Sequence, residues 1–582
     1  MLRLIRAIRN EQSVLFTLAL LIGIAVGGGV IGFRLLIRLV QLVCYGSGSE
    51  VDFATLVEKL PAWHVLLVPT VGGLIIGVFV HYLMPQRRNY GVADIIEACA
   101  LRGGRMSTRA GIGAALAAAT SIGVGASVGR EGPAVHLGAS LSAWVAKRLH
   151  LDRSLSLTLV GCGAAAAVAA SFNAPIAGVF FALEVIVGNY TLNVFAPIVI
   201  SSVSATVVAQ SYFGDQPAFL DVPNYYYAIS APELLIFMLL GVICALMSSI
   251  FMASTILVQK HVSAIALPAW ARPAVGGLVV GVIALAFPQI LGVGYQATDL
   301  AVRELLPLAL LMALVLAKMI ATVVSLGSGF AGGVFSPALF IGAMTGGAFG
   351  LVAASVAPEY VSTHGVYTLV GMAGVAAAVL GAPVSTILVV FELTSNYRLI
   401  IAAMIVVVVA SMLSQRLTRK SFFVWQLQQR GIDLRTARDT GLLFAMSVED
   451  LISDDHAVVQ TQCKLVDLHS VLHGRPRALL VVDEEGRLSG YLMLADILRG
   501  TLEPEGMLRT AADTMHPCDT AILSSTSLAQ ALELAGASDA DYLPVVDDLE
   551  QRHVVGVVYH KDLVLMHNKA LLAARAAERG DH

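Results

Sequence analysis

The chain of 582 residues predicts an all-α polytopic membrane domain followed by a soluble α/β tail, on three observations. Hydrophobic residues make up 57% of it against 13% charged, a balance that calls for a bundle of membrane-spanning helices. The charge is segregated: residues 421–582 carry 14 basic and 24 acidic side chains for a net of −10, which leaves +7 on residues 1–420. The apolar part also repeats itself, since Leu159-Val160-Gly161 leads to Ala174-Pro175 and Glu184 while Leu369-Val370-Gly371 leads to Ala382-Pro383 and Glu392.

In chain order, residues 14–33 are an uncharged run long enough to cross a bilayer, which takes about 20 apolar residues. No small-residue cleavage site follows it, so it reads as a span rather than a leader. Residues 234–258 form a second such run, and many other apolar stretches are shorter or broken by glycine. Arg3, Arg6 and Arg9 precede the first span and Arg416, Arg419 and Lys420 follow the last, which places both ends and the acidic tail in the cytoplasm. The six cysteines make no Cys-x-x-Cys pair, which argues against a disulfide framework or a zinc site.

Upstream of each Ala-Pro lies a glycine-flanked pentapeptide ending in proline: Gly129-Arg130-Glu131-Gly132-Pro133 and Gly333-Val334-Phe335-Ser336-Pro337. A repeat with Gly/Pro-broken helices in corresponding places points to a binding site near the bilayer midplane between the halves. The first N–H groups of a helix lack intrahelical partners, and the macrodipole puts about half a positive charge there, so helix starts attract anions. Glycine lets backbone approach an ion, and proline in the first turn removes a donor that would be unpaired anyway. The blander alternative is that these residues only interrupt helices in a crowded bundle. A carboxylate in such a place must be paired, ligand-gated or protonated, which makes Glu131 the leading candidate; its bland alternative is a structural salt bridge with Arg130.

The pentapeptide at 129–133, the Gly-x-Phe-x-Pro segment at 333–337 and the tail together resemble the CLC chloride channel family over nearly the whole chain. The resemblance implies an inverted-repeat fold of about eighteen helices with a cytoplasmic α/β tandem CBS domain. It divides the chain into a transmembrane domain at 1–425 (repeats at about 13–215 and 230–425), a linker at 426–445, CBS domains at 446–500 and 510–570, and a tail at 571–582. It implies a homodimer in the inner (plasma) membrane, in contact with lipid and not nucleic acid, each subunit with its own pore. The transported ion would be chloride, with no cofactor required.

Matched residue by residue, Glu131 takes the place of the family's gating, proton-carrying glutamate, and the backbone of Gly129, Arg130, Gly132, Val334 and Phe335 that of its anion site. Tyr90, in Asn89-Tyr90-Gly91, stands where the family commonly has an anion-binding serine, and Phe423 where it has a pore tyrosine. Two readings of Tyr90 stay open: it supplies the hydroxyl that both positions usually provide, or it packs beside the pore. Nitrate-preferring members carry proline at the serine position, so chloride is expected. Val185 replaces the internal proton-transfer acid of the exchangers and resembles the channel branch; exchange by a non-standard proton route is the alternative. Glu184, matched by Glu392 in the repeat, reads as structural.

The tail shows two similar halves: residues 478–483 before 490–496, and residues 542–547 before 556–562, each a strand, a turn, a strand and an Asp opening a helix. Asp496 and Asp562 match the ribose-binding aspartates of nucleotide-binding CBS pairs, but Met493 and Tyr559 stand where a Ser/Thr would hold phosphate. Helix N-caps in a structural or dimer-stabilising tail are the competing reading to an adenine nucleotide ligand. A membrane enzyme or nucleotide-regulated receptor is a further class, but no His-Glu-x-x-His, P-loop or Ser/His constellation supports it.

Overall fold

The computed structural model describes residues 11–48, 52–214, 231–264, 266–394, 396–418, 420–432, 446–468, 471, 476–502, 509–518, 520–538, 540–548 and 550–579. Arg3, Arg6, Arg9 and Arg419, on which the orientation rests, lie outside them, as do linker residues 433–445. The chain forms two compact units, Met1–Ile432 and Asp433–His582.

The first unit is the polytopic membrane domain. It holds eighteen α-helices among the described residues, from Glu11–Tyr45 to Phe422–Gln429. Among the described residues, eight helical segments are long and apolar enough to cross a membrane. The halves match element by element: Ala62–Leu83, Val92–Leu101, Thr108–Gly123, Glu131–Arg148 and Arg153–Phe172 recur as Arg272–Ala286, Tyr295–Val302, Leu308–Ser328, Phe335–Val356 and His364–Leu380. The Glu131–Arg148 helix meets the Arg153–Phe172 helix through glycine, because a Cβ on Gly138 would lie 2.3 Å from the Gly163 carbonyl oxygen. In the second half a Cβ on Gly342 would lie 2.4 Å from the Gly371 carbonyl oxygen. Without a hydrophobic drive between helices in lipid, such backbone contact supplies the packing energy.

The repeated Ala-Pro marks a reversal. The Arg153–Phe172 helix ends on Asn173 in the left-handed region (φ 57°) and the chain restarts as the helix Pro175–Phe181. The His364–Leu380 helix ends on Gly381 (φ 69°) and restarts as Pro383–Thr394. Each restart has proline at its first position, and each is capped by the other half's glutamate. Glu184 accepts from the backbone N–H of Val384 (3.0 Å) and Ser385 (2.9 Å), and Glu392 from those of Ile176 (2.8 Å) and Ala177 (2.7 Å).

In the second unit, β1 (His456–Gln460) and β2 (Ala478–Val482) are parallel, and β2 pairs antiparallel with β3 (Leu488–Leu492), which pairs with β4 (His516–Pro517). The pattern recurs in β5 (Ile522–Leu523), β6 (Tyr542–Val546) and β7 (Val554–Tyr559). Alternation along the strands makes the cores: Leu479 and Val481 face Leu465, Ile497 and Ala511, while Ala478 and Leu480 join Tyr542, Val546 and Val557 in a core shared by both sheets.

Three expectations are corrected here. The membrane unit does not end at 425, because the Phe422–Gln429 helix continues with Leu427 fully buried and the unit reaches Ile432. The His560–Arg579 helix runs through the boundary drawn at 570. Asp496 and Asp562 are not N-caps; both are third residues of helices that start at Leu494 and His560.

Candidate functional site

The two pentapeptides touch. Gly129 N–H donates to the Gly333 carbonyl (2.7 Å) and Gly333 N–H to the Gly129 carbonyl (2.8 Å), an isolated antiparallel bridge between the halves. Glycine suits this close approach, since a Cβ on Gly129 would lie 3.1 Å from the Gly333 oxygen and one on Gly132 3.3 Å from the Gly333 Cα, both tighter than ordinary van der Waals contact. Immediately after the bridge each segment turns into a helix, Glu131–Arg148 and Phe335–Val356, with Pro133 and Pro337 in the first turns. Two helix starts, one per half, therefore converge on one place, and their first-turn N–H groups and dipoles favour negative charge there.

A cavity of about 430 Å³ opens beside them. Tyr90, Glu131, Gly132, Val334, Phe335 and Phe423 all line it. Gly129 and Arg130, both buried, are not part of its lining, and neither is Val185, 8% exposed in a π-helical stretch at Ala182–Val187. The lining carries Arg87, Arg88, Arg272 and Arg430 against Asp94 and Glu131, a balance that draws anions in. Asp94 is tied up: its carboxylate caps Gly91 N–H (2.8 Å) and bridges Arg88 (2.5 Å) and Arg430 (2.8 Å).

Glu131 is 2% exposed. Its Oε1 accepts from Ser336 Oγ (2.5 Å) and Tyr295 Oη (3.2 Å), while Arg130 Nε stands 4.0 Å away, beyond hydrogen-bond reach. The Arg130 guanidinium instead lies 4.7 Å over the Tyr295 ring. The Tyr90 hydroxyl donates to the Pro85 carbonyl (2.9 Å), and its ring packs under Arg88 and beside His136. Phe423 packs edge-on to Phe422 and brings no donor to the wall. Sequence reasoning missed Tyr295 and the role of Ser336, although Ser336 lies in the second pentapeptide and was within view. It also missed buried Lys318, whose Nζ donates to the carbonyls of Ile290 (2.9 Å) and Gly292 (2.8 Å) and so anchors the loop that leads into Tyr295.

In the tail unit, Asp496 Oδ2 pairs with His516 Nε2 at 2.8 Å, and the His516 ring stacks on Tyr491. Asp562 borders a separate recess with Asp450 and Lys569. Among the described residues no group of three or more His, Cys, Asp or Glu side chains is placed to hold a metal ion.

A family model for voltage gated chloride channels matches residues 72–415, and a CBS domain model matches residues 448–503. A putative ClcB-like chloride channel protein of Ralstonia nicotianae is 31% identical over 395 residues, covering 67% of this chain and 91% of that protein. The voltage-gated ClC-type chloride channel ClcB of Escherichia coli is 31% identical over 413 residues, covering 70% of this chain and 97% of that one. In fold, a slow cyanobacterial chloride/proton antiporter is similar with a TM-score of 0.64 at 21% identity, over 72% of this chain and 97% of that structure.

Proposed function

Because the chain belongs to the voltage gated chloride channel family, we propose that it carries chloride across the membrane by passive, channel-like conduction, with the Glu131 carboxylate as its gate. The observation that carries this reading is the meeting of two helix starts, one from each half, around a single buried carboxylate at a cavity wall. Unsatisfied N–H groups and two dipole ends favour an anion there, so chloride and the Glu131 carboxylate compete for one electrostatic niche. Backbone at Val334, Phe335 and Gly132 forms the anion site, backed by Gly129 and Arg130. Tyr90, with its hydroxyl committed to Pro85, packs beside the pathway, and Phe423 gives it an apolar wall. Apolar Val185 offers no proton carrier, which supports passive conduction over exchange.

The protein works as a homodimer with one pathway per subunit, both chain ends in the cytoplasm. The tail pair is structural, a reading supported by the engagement of Asp496 with His516; adenine nucleotide at Asp496 and Asp562 is the competing role. The test is reconstitution into liposomes with a chloride gradient, recording chloride release and pH together while valinomycin sets the voltage. Chloride release without proton uptake is expected. Uphill proton movement driven by chloride would establish exchange instead, and absence of anion flux would overturn the reading. Glu131→Ala should conduct without gating; unchanged flux and gating would remove Glu131 from that role.

A further inference from the structure

We propose that Ser336 and Tyr295 form a two-hydroxyl latch that sets how firmly Glu131 holds its niche against the incoming anion. The inference rests on the reading of Glu131 as gate and adds two positioning residues to it. Both donors converge on one carboxylate oxygen, Ser336 Oγ at 2.5 Å and Tyr295 Oη at 3.2 Å. Among the described residues the other oxygen, Oε2, accepts no hydrogen bond although it is buried. The carboxylate is therefore fastened at one oxygen and left with open acceptor capacity at the other. A hydrogen bond to a charged group is worth more than a neutral one, and burial of all three side chains, at 2% to 8% exposure, keeps water from substituting for it.

The donors are themselves held. Ser336 stands in the first turn of the Phe335–Val356 helix, directly after the Gly129–Gly333 bridge that fixes the two pentapeptides to each other. Tyr295 starts a helix after Gly294, whose φ of 91° turns the chain; its ring lies beneath the Arg130 guanidinium, and Lys318 ties the preceding loop at Ile290 and Gly292. A latch on rigid supports holds its partner at lower entropic cost than one on mobile side chains. Both hydroxyls come from the second half of the repeat and the carboxylate from the first, so any small displacement between the halves at this point loosens the gate.

The test is the half-saturating chloride concentration for flux in liposomes, since a looser carboxylate competes less well. Ser336→Ala is expected to lower it by about tenfold, the size expected for one hydrogen bond to a charged group. Tyr295→Phe, losing the longer bond, lowers it by less, and Ser336→Thr, which keeps the hydroxyl, restores the original value. Neither deletion has any effect on top of Glu131→Ala. The latch is overturned if Glu131→Ala changes the half-saturation while Ser336→Ala and Tyr295→Phe leave it where it was. If Glu131→Ala itself changes nothing, it is the gate that fails. Size-exclusion elution reports folding of each variant, and Tyr295→Phe decides the matter should Ser336→Ala not assemble.

Discussion

Set side by side, Gly129-Arg130-Glu131-Gly132-Pro133 and Gly333-Val334-Phe335-Ser336-Pro337 share their glycine, their proline and the helix each begins, but nothing between. The first half places a carboxylate where the second places a phenyl ring, and the second places a hydroxyl where the first has glycine. The shared residues are those the backbone needs: glycine where the two segments touch, proline where a helix starts. The differing residues make one half the holder and the other the held, with Ser336 of the second half donating to Glu131 of the first. Repetition thus supplies the converging helix starts, and departure from repetition supplies the chemistry.

The strongest way to break this comparison is through the shared part, where the halves should respond alike. Gly138→Val and Gly342→Val each force a Cβ to within 2.3 Å and 2.4 Å of a facing carbonyl oxygen. Both should cost more than about 4 kcal/mol, enough to abolish recovery of a monodisperse protein in detergent. Gly28→Ala, where a Cβ meets nothing within 4 Å, should purify normally. If one of the two valine variants were tolerated, the backbone-to-backbone packing of the two halves would not be equivalent.

A smaller effect tests the crossed caps. Glu184→Ala and Glu392→Ala each strip two N–H partners from the start of a helix in the opposite half, for an expected loss of about 2 kcal/mol read by thermal unfolding. The halves should differ slightly, because Glu184 also accepts from Ser385 Oγ at 2.7 Å, a bond that Ala177 cannot make for Glu392. Glu184→Ala should therefore be worse by about 1 kcal/mol. Equal losses would mean that the Ser385 hydroxyl contributes nothing beyond the backbone pair.

How much of this the sequence discloses follows from how local each feature is. The membrane class, the repeat and Glu131 are legible because apolar length, spacing and an acid among glycines are properties of short segments. The partners of Glu131 are not, since Ser336 lies 205 residues away and Tyr295 lies 164 away, and only the folded halves bring them to one oxygen. The same holds for Glu184, readable as structural from its repeat partner but not as a cap on a helix 201 residues on. The N-cap reading of Asp496 and Asp562 fails by three residues, because the helices begin at Leu494 and His560, which puts the cap positions at Met493 and Tyr559, and such ends are not fixed by pattern alone. The linker expected from 426 fails because the Phe422–Gln429 helix keeps Leu427 buried past it.

The finest test compares two tyrosines that stand at the start of matching helices. Tyr90 lies two residues before Val92–Leu101, and Tyr295 opens Tyr295–Val302. Their hydroxyls go different ways: Tyr90 donates locally to the Pro85 carbonyl at an exposed turn, while Tyr295 donates across the repeat to Glu131 in a buried setting. Losing a solvent-accessible local bond costs little because water replaces the donor, whereas a buried charged acceptor has no such substitute. Tyr90→Phe should thus shift the half-saturating chloride by no more than about twofold, and by less than Tyr295→Phe does in the same flux assay. A larger shift for Tyr90→Phe would mean that its hydroxyl leaves Pro85 and turns to the anion during transport, and the two tyrosines would then be equals across the repeat rather than one wall and one latch.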